Sequence, residues 1–273
     1  MTLNVERRGS GTPVVLVHGI CSRWQAFEPI MDALAEHHEV IGIDLPGFGL
    51  SPLQDGVVPG PYGFADWLEG WLAEQGIENP HVVGNSMGGG IALELGRRGV
   101  AASVTAFSPI GFWQKPGLSW SQVLFNSLGV LIGALGGLMS VALRLAPVRA
   151  LALGLFFAHP VRMSVATARR HLDGFRGATG MAQALEGFKQ YVLTDADEPG
   201  ELPQIRTTIA WGDRDLVLTY WTQAKRARKI LPFARHLDLA SCGHVPFDDD
   251  PEACAAAVLS TTGGAGDRTQ TSS

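Results

Sequence analysis

The sequence predicts an α/β fold with a mostly parallel sheet and helices on both of its faces. Four β-branched runs each end in a small or turn residue, at residues 14–17, 40–43, 81–83 and 103–107. Helical patterns of apolar residues lie between them, at residues 27–36, 65–73 and 88–97. Strands that alternate with helices of this length are typical of βαβ units, in which neighbouring strands run parallel.

The alternation stops after residue 110 and resumes after residue 190, with strands expected at 207–211 and 236–239 and helices at 220–230 and 251–259. Between these parts, Gly and Pro interrupt successive helical patterns and no strand-like run stands out. We therefore expect a core of residues 1–110 and 191–260, with a helical cap of residues 111–190 inserted into it. The tail, residues 261–273, is rich in Gly, Thr and Ser and is predicted to be disordered.

Composition narrows the classes of function. A hydrophobic content of 46% and a charged content of 17% indicate a well-cored globular protein. The formal net charge of −5 argues against a nucleic-acid partner, because phosphate binding relies on clustered Lys and Arg. The three cysteines lack the spacing of a zinc site or a disulfide framework, so no metal or cofactor is expected. Residues 1–11 contain no apolar signal-like run, and a cytoplasmic location is the expectation.

The strongest chemical signal is the run Gly84-Asn85-Ser86-Met87-Gly88, which lies between a predicted strand and a predicted helix. In the pattern Gly-x-Ser-x-Gly the serine sits on a sharp strand-to-helix turn, and small flanking residues let that turn form. The helix that follows directs backbone N–H groups and the positive end of its dipole towards this turn. The sequence therefore predicts Ser86 as a nucleophile.

A serine nucleophile needs a base, and His244 has the most suitable setting of the eight histidines. It lies in a loop between the strand expected at 236–239 and the last helix. His18 follows an earlier strand, and we interpret it as a residue that shapes a loop by hydrogen bonding. His159 and His171 lie in the predicted cap, where contact with a substrate is an open alternative.

The acid that orients the base should follow a strand between Ser86 and His244. The run 211–217 offers Asp213 and Asp215. We favour Asp215, because the apolar residues after it would surround a buried carboxylate. Asp213 stands at the start of the turn and could cap it instead, and it remains the alternative.

These motifs together resemble those of the α/β-hydrolase superfamily, in the chain order Ser, Asp, His that this fold uses. The matching runs are His18-Gly19, Asp44-Leu45-Pro46-Gly47-Phe48-Gly49-Leu50-Ser51, Gly84 to Gly89, Gly212 to Asp215, and Gly243-His244-Val245-Pro246. The resemblance implies an eight-stranded, mostly parallel sheet with a helical cap inserted after the sixth strand. It also implies an oxyanion hole formed by the backbone N–H groups of Ile20 and Met87.

The predicted cap differs from the rest of the chain in charge. Residues 111–190 contain eight basic and two acidic residues, a net charge of +6, which leaves about −11 for the remainder. No charged residue occurs at 116–143, a run long enough to span a bilayer. We favour an apolar cap over the active site, ahead of contact with a membrane surface and of a membrane span. The surplus of Arg either attracts an anionic substrate or keeps the cap soluble.

The sequence thus predicts a serine hydrolase that cleaves a small or medium apolar ester, or a related carbonyl compound, through an acyl-enzyme. The elbow Gly84 to Gly89 also resembles that of the meta-cleavage-product hydrolases, which break a C–C bond. That resemblance is incomplete, because Val245 follows His244 where those enzymes commonly have Trp. A ligand-binding member of the fold without catalysis is an alternative of another class.

Overall fold

A seven-stranded sheet organises residues 3–263, the part of the chain that the computed structural model describes. In chain order the strands are β1 (Val5–Arg8), β2 (Pro13–Val17), β3 (Glu39–Ile43), β4 (His81–Asn85), β5 (Ser103–Phe107), β6 (Arg206–Gly212) and β7 (Arg235–Leu239). Across the sheet the order is β1-β3-β2-β4-β5-β6-β7. Strand β1 runs antiparallel to β3, and every other neighbouring pair is parallel. The predicted α/β fold with a mostly parallel sheet is therefore confirmed.

The number of strands differs from the eight that the family resemblance implied. Strand β1 pairs directly with β3, with Val5 opposite Ile43 and Arg8 opposite Val40, and so forms the edge of the sheet. Within the described residues, the short stretch before Pro13 supplies this one strand and no second one. As a consequence, the helical segment 111–190 follows the fifth strand of this sheet instead of a sixth.

Nine α-helices of the described residues connect or cover these strands. They are α1 (Glu28–Ala35), α2 (Pro61–Glu74), α3 (Met87–Arg97), α4 (Lys115–Ala142), α5 (Ala146–Leu153), α6 (Val165–Arg176), α7 (Met181–Gly187), α8 (Tyr220–Ile230) and α9 (Pro251–Thr262). Helix α2 begins four residues before the predicted start, because Gly60 turns the chain at φ 118° and Pro61 suits the first helical turn. Short 3-10 turns join several of the helices.

The predicted disordered tail starts too early by at least two residues. Thr261 and Thr262 belong to α9, and their hydroxyl groups hydrogen-bond to Thr208 at 2.7 Å and to His38 at 2.9 Å. These buried contacts hold the end of the helix against the sheet. Residues 264–273 of the predicted tail lie outside the described residues.

The core has two halves, one on each face of the sheet. Along β2 the side chains alternate, so that Val15 and Val17 pack on one face and Val14 and Leu16 on the other. Helices α2, α3 and α8 cover the first face, and helices α1 and α9 cover the second. Because both faces are buried, the central strands β2, β3 and β4 are rich in β-branched residues and show no polar alternation, unlike the edge strands β1 and β7.

The segment 111–190, called the cap from here on, consists of helices α4 to α7 and contains no strand in the described structure. Helix α4 packs mainly against α6. Among the described residues α4 is also the one helix that is long and apolar enough to cross a bilayer, with a mean hydropathy of 1.8. Only 22% of its most apolar window is buried. The cap therefore presents an unusually apolar outer side.

Asp249 links the cap to the loop that carries His244. Its carboxylate accepts hydrogen bonds from the backbone N–H groups of Ala158 and His159 in the cap and of Gly243 in the loop, each at 2.9 Å. The N–H of Val245 donates to the carbonyl of Phe156, also at 2.9 Å. The position of residues 156–159 is therefore fixed relative to the loop.

We predict that Asp249→Ala lowers the free energy of unfolding by about 2–4 kcal/mol, because three backbone donors lose a charged acceptor. Chemical denaturation measures the change. The matched control is Asp32→Ala, whose carboxylate pairs with Arg8 but is 87% exposed, and we expect it to cost less than about 1 kcal/mol. Equal effects of the two substitutions would contradict the linking role of Asp249.

Candidate active site

Ser86 lies on the tight turn between β4 and α3, as the sequence predicted. Its backbone has a φ of 56°, a left-handed conformation that is strained for a residue with a side chain. The turn is held by three backbone hydrogen bonds: Ser86 N–H donates to Phe107 at 2.9 Å, and the Ser86 carbonyl accepts from Gly90 and Ile110 at 3.1 Å. The strained conformation is thus imposed by its neighbours on β5, on the segment after β5 and on α3.

The two flanking glycines are required by space. A Cβ atom on Gly84 would lie 2.0 Å from the carbonyl oxygen of Gly88, and a Cβ on Gly88 would lie 1.9 Å from that of Val17. Both distances are far inside van der Waals contact. The pattern Gly-x-Ser-x-Gly is therefore explained by the close approach of β4, α3 and β2 at this turn.

His244 and Asp215 form a buried pair. His244 Nδ1 lies 2.8 Å from Asp215 Oδ2, and each residue is 2% exposed. The other carboxylate oxygen accepts from the backbone N–H groups of Val217 and Leu218 at 2.9 Å. An ionised carboxylate can only accept, so Nδ1 of His244 donates and its Nε2 is left to accept a proton.

Asp213, the alternative acid, has a different place in the structure. Its carboxylate accepts a hydrogen bond from the backbone N–H of Ser241 at 2.8 Å. Asp213 therefore ties the turn after β6 to the turn after β7. Asp215 is the carboxylate that contacts His244, and Asp213 stabilises the turn, as the capping argument suggested.

His18 is buried beside Ser86 but is engaged by the backbone on both ring nitrogens. Its Nε2 accepts from Leu45 N–H at 3.0 Å, and its Nδ1 then donates to the carbonyl of Gly19 at 2.7 Å. Burial lowers the pKa of His18, although the nearby Asp44 carboxylate acts in the opposite direction. A neutral ring with both nitrogens occupied shapes the loop and leaves no free nitrogen for proton transfer.

Asp44 completes the support of this loop, and its role was not predicted from the sequence. Its buried carboxylate accepts from the backbone N–H groups of Trp24 at 2.8 Å and Leu50 at 2.9 Å, and from the Asn4 side chain at 2.7 Å. The run from Asp44 to Ser51 was recognised as a motif, but a sequence pattern does not show which distant donors a carboxylate will meet. Asp44 and His18 together fix residues 18–24.

Two backbone donors next to Ser86 have no partner. Among the described residues, neither Ile20 N–H nor Met87 N–H makes a hydrogen bond. Both residues are buried, and a Cβ on the neighbouring Gly19 would lie 3.0 Å from the Ser86 Cβ. Buried N–H groups without an acceptor are rare, because each loses its hydrogen bond to water. These are the two donors that the family resemblance implied for an oxyanion hole.

A small cavity of about 30 Å³ brings the two reactive side chains together. Ser86 and His244 line it, and neither Ser86 Oγ nor His244 Nε2 has a hydrogen-bond partner among the described residues. The rest of the wall comes from the loop after β2 and from the cap, and its large side chains are Leu153, Phe125, Phe156, Phe157 and Phe175. The wall of the cavity is thus mostly apolar, and the cap covers much of it.

Asn85 and His171 are further polar residues at this site. The Asn85 side chain donates to the carbonyl of His244 at 2.9 Å and so anchors the backbone of that residue. His171 lines the cavity from the cap and lies 2.8 Å from Asp248. The sequence patterns left contact of His171 with a substrate as an open alternative, and they did not indicate a role for Asn85 or Asp248. His159, the other cap histidine, does not line the cavity.

Comparison with known proteins agrees with the α/β fold. The model of the alpha/beta hydrolase family matches residues 14–257. The chain is 39% identical over 99 residues to a pimeloyl-acyl-carrier-protein methyl ester esterase of Aeromonas salmonicida. It is 35% identical over 101 residues to a 2-hydroxy-6-oxo-2,4-heptadienoate hydrolase of Pseudomonas putida. Each match covers 35% of this chain and 36% of the relative's length, so the chain's match spans about a third of these curated relatives.

Solved structures show the same fold over nearly the whole chain. A hydrolase from Pseudomonas aeruginosa superposes with a TM-score of 0.73 at 20% identity, covering 96% of this chain and 94% of that one. The protein belongs to the alpha/beta hydrolase family.

The three cysteines are expected to be unreactive in the folded protein. Cys21, Cys242 and Cys254 are free and buried. Burial raises the pKa of all three thiols, that of Cys242 to about 12. Because the thiolate is the reactive form, we predict that iodoacetamide at about pH 8 leaves the native protein unmodified and alkylates all three cysteines after denaturation. Mass spectrometry counts the adducts, and rapid alkylation of Cys21 in the native protein would contradict its burial in the cavity wall.

Proposed function

We propose that this protein is a cofactor-independent serine hydrolase that cleaves a small or medium apolar ester through an acyl-enzyme. The observation that supports it best is the arrangement around one cavity: the strained Ser86, the buried pair of His244 and Asp215, and two backbone donors without acceptors. Each of these features costs folding free energy, and together they match the parts that acyl transfer requires.

In the proposed first step, Ser86 Oγ attacks the ester carbonyl carbon while His244 Nε2 takes the hydroxyl proton. The negative charge on the carbonyl oxygen is stabilised by the N–H groups of Ile20 and Met87. The C–O bond then breaks, and the leaving alcohol receives the proton from His244. Water attacks the acyl-enzyme with His244 again as base, which releases the acid and restores Ser86. Asp215 holds the His244 ring and stabilises its charged form throughout.

The cavity wall supports an apolar acyl group. It is formed largely by phenylalanines of the cap, and no Lys or Arg contributes to it among the described residues. A cavity of about 30 Å³ is much smaller than a usual ligand site of roughly 300–1,000 Å³. Substrate entry therefore requires that cap side chains move, and Phe156 is the large group beside His244, with ring centroids 6.5 Å apart.

The arginines of the cap give little support to an anionic substrate. Arg149 and Arg169 donate to backbone carbonyl groups within the cap, and Arg170 pairs with Glu28. These guanidinium groups therefore stabilise the packing of the cap and its contact with the core. Among the described residues, the cap and the β7–α9 loop contribute two titratable groups to the cavity wall. They are His244 and His171, and Asp248 holds His171 in place.

Cleavage of a C–C bond is the second candidate, and the match to the Pseudomonas putida hydrolase favours it. A dienoate substrate, as named for that relative, carries a carboxylate, and the described cavity wall has no Lys or Arg to pair with it. We therefore rank ester cleavage first. A ligand-binding protein without catalysis would have no use for the two unpaired donors next to Ser86.

We predict that Asp215→Asn lowers kcat by about a thousandfold to ten-thousandfold, because the amide can no longer hold the His244 ring in the reactive tautomer. Steady-state hydrolysis of p-nitrophenyl esters measures this loss. Asp213→Asn is the matched control on the same turn, and we expect it to change kcat by less than about tenfold, since Asp213 contacts only backbone there. The reverse order of the two effects would make Asp213 the acid.

A fluorophosphonate probe tests the nucleophile directly. We expect stoichiometric labelling of the wild type and none of Ser86→Ala, because only an activated serine reacts readily with the probe. An unlabelled wild type, or equal labelling of Ser86→Ala, would overturn the proposed function.

Activity on p-nitrophenyl esters of graded chain length, compared with activity on a dienoate ring-cleavage product, then decides between ester cleavage and C–C bond cleavage.

A further inference from the structure

The cap exposes a row of aliphatic side chains on the side away from the core. On α4 and just after it, Val130, Leu138, Val141 and Leu145 recur at helical spacing and are 77%, 69%, 55% and 61% exposed. Leu151 of α5 and Val161 add to them at 87% and 49%. We call these six residues the outer cap face. A contiguous apolar surface of this kind indicates a contact partner.

Helix α4 is apolar on both of its sides. Its inner stripe includes Leu124, Phe125 and Ile132, which are buried in the cap and the cavity wall. No charged residue occurs from Pro116 to Leu143, and from residue 128 onward Ser140 is the one polar side chain of this run, so the outer side of its second half lacks the charged residues that a solvent-facing helix normally carries. The outer side is therefore suited to an apolar environment that the described chain does not provide.

Two unpaired cations border the outer cap face. The Arg144 and Arg162 side chains are exposed and make no hydrogen bond or ion pair among the described residues. Arg149 joins the elements that carry them, because it donates to the carbonyl groups of Leu143, Arg144 and Val161. The end of α4, helix α5 and residues 160–162 thus form one surface, with aliphatic groups and free guanidinium groups side by side.

We propose that the outer cap face binds the surface of a bilayer that contains anionic lipids. Aliphatic side chains would enter the interface between head groups and acyl chains, and Arg144 and Arg162 would contact lipid phosphates. A second copy of this chain is a poorer occupant, because each cap has a net charge of +6 and two caps would repel each other. The net charge of the cap complements an anionic membrane instead.

The contacts of α4 favour a position on the membrane surface over a span across it. Arg169 donates to the carbonyl of Ser140 at 2.8 Å, and the Arg176 side chain lies beside Gly136, where a Cβ would be 3.4 Å from its Cδ. A spanning α4 would have to leave these contacts or carry the two guanidinium groups into hydrocarbon, which is costly. Bound at the surface, α4 keeps both contacts and its inner stripe stays in the cavity wall.

This inference does not depend on the proposed catalysis, and a binding assay tests it alone. Full-length protein is sedimented with phosphatidylcholine vesicles that do or do not contain phosphatidylglycerol. We expect binding to the anionic vesicles at low salt, and on the order of tenfold weaker partitioning for the triple variant Val130→Gln/Leu138→Gln/Val141→Gln. The double variant Arg144→Gln/Arg162→Gln should partition to the anionic vesicles about fivefold more weakly for each cation removed. Its binding should also depend less on the salt concentration.

The controls separate loss of binding from loss of folding. Val58→Gln removes an equally exposed aliphatic group, 68% exposed and outside the cap, and should bind like the wild type. All variants should keep the thermal midpoint of the wild type, because the replaced side chains are exposed. Failure of the wild type to bind anionic vesicles, or unchanged binding by the triple variant, would overturn the proposal. A dimer in solution that the triple variant abolishes, without vesicle binding, would assign the face to a second copy.

Discussion

The turn at Ser86 is held in a left-handed backbone conformation that its own residue type disfavours, and the rest of the site is arranged around it. Backbone hydrogen bonds of Ser86 with Phe107, Gly90 and Ile110 impose the turn, and the absence of side chains on Gly84 and Gly88 makes room for it. These contacts come from β5, α3 and the segment after β5, so the conformation is maintained by the packed sheet and not by the pentapeptide alone. The parallel sheet thus positions the Ser86 hydroxyl.

The loops around this turn are fixed by buried or partly buried carboxylates, each with a separate task. Asp44 and His18 support the loop that carries Ile20, Asp215 orients His244, and Asp249 attaches the cap to the His244 loop. Most of these contacts are to backbone N–H groups, which the carboxylates satisfy without any side-chain partner. The cap then covers an apolar cavity lined by Ser86 and His244, while its opposite side carries the outer cap face.

Sequence patterns predicted the parts of the structure that follow local rules. The strands, the helices on both faces and the turn at Ser86 depend on periodicity and glycine spacing, and Asp215 was preferred over Asp213 from the apolar residues after it. Contacts between distant segments were not predictable in this way, as Asp44, Asn85 and the pair of His171 and Asp248 show. The eighth strand was implied by resemblance alone, and the pairing of β1 with β3 leaves one strand before Pro13. The exposure of α4 could not be predicted either, because an apolar run has the same sequence pattern whether it is buried or exposed.

The proposed mechanism depends most on Ser86 forming a covalent acyl intermediate, with His244 as the base. Rapid acid quenching of the wild type during turnover of a p-nitrophenyl ester, followed by peptide mass spectrometry, measures this intermediate. We predict one acyl group per molecule, located on Ser86, and none on His244→Ala under the same conditions. An enzyme that turns over the ester with no acyl group on Ser86, or with the group on another residue, would contradict the mechanism.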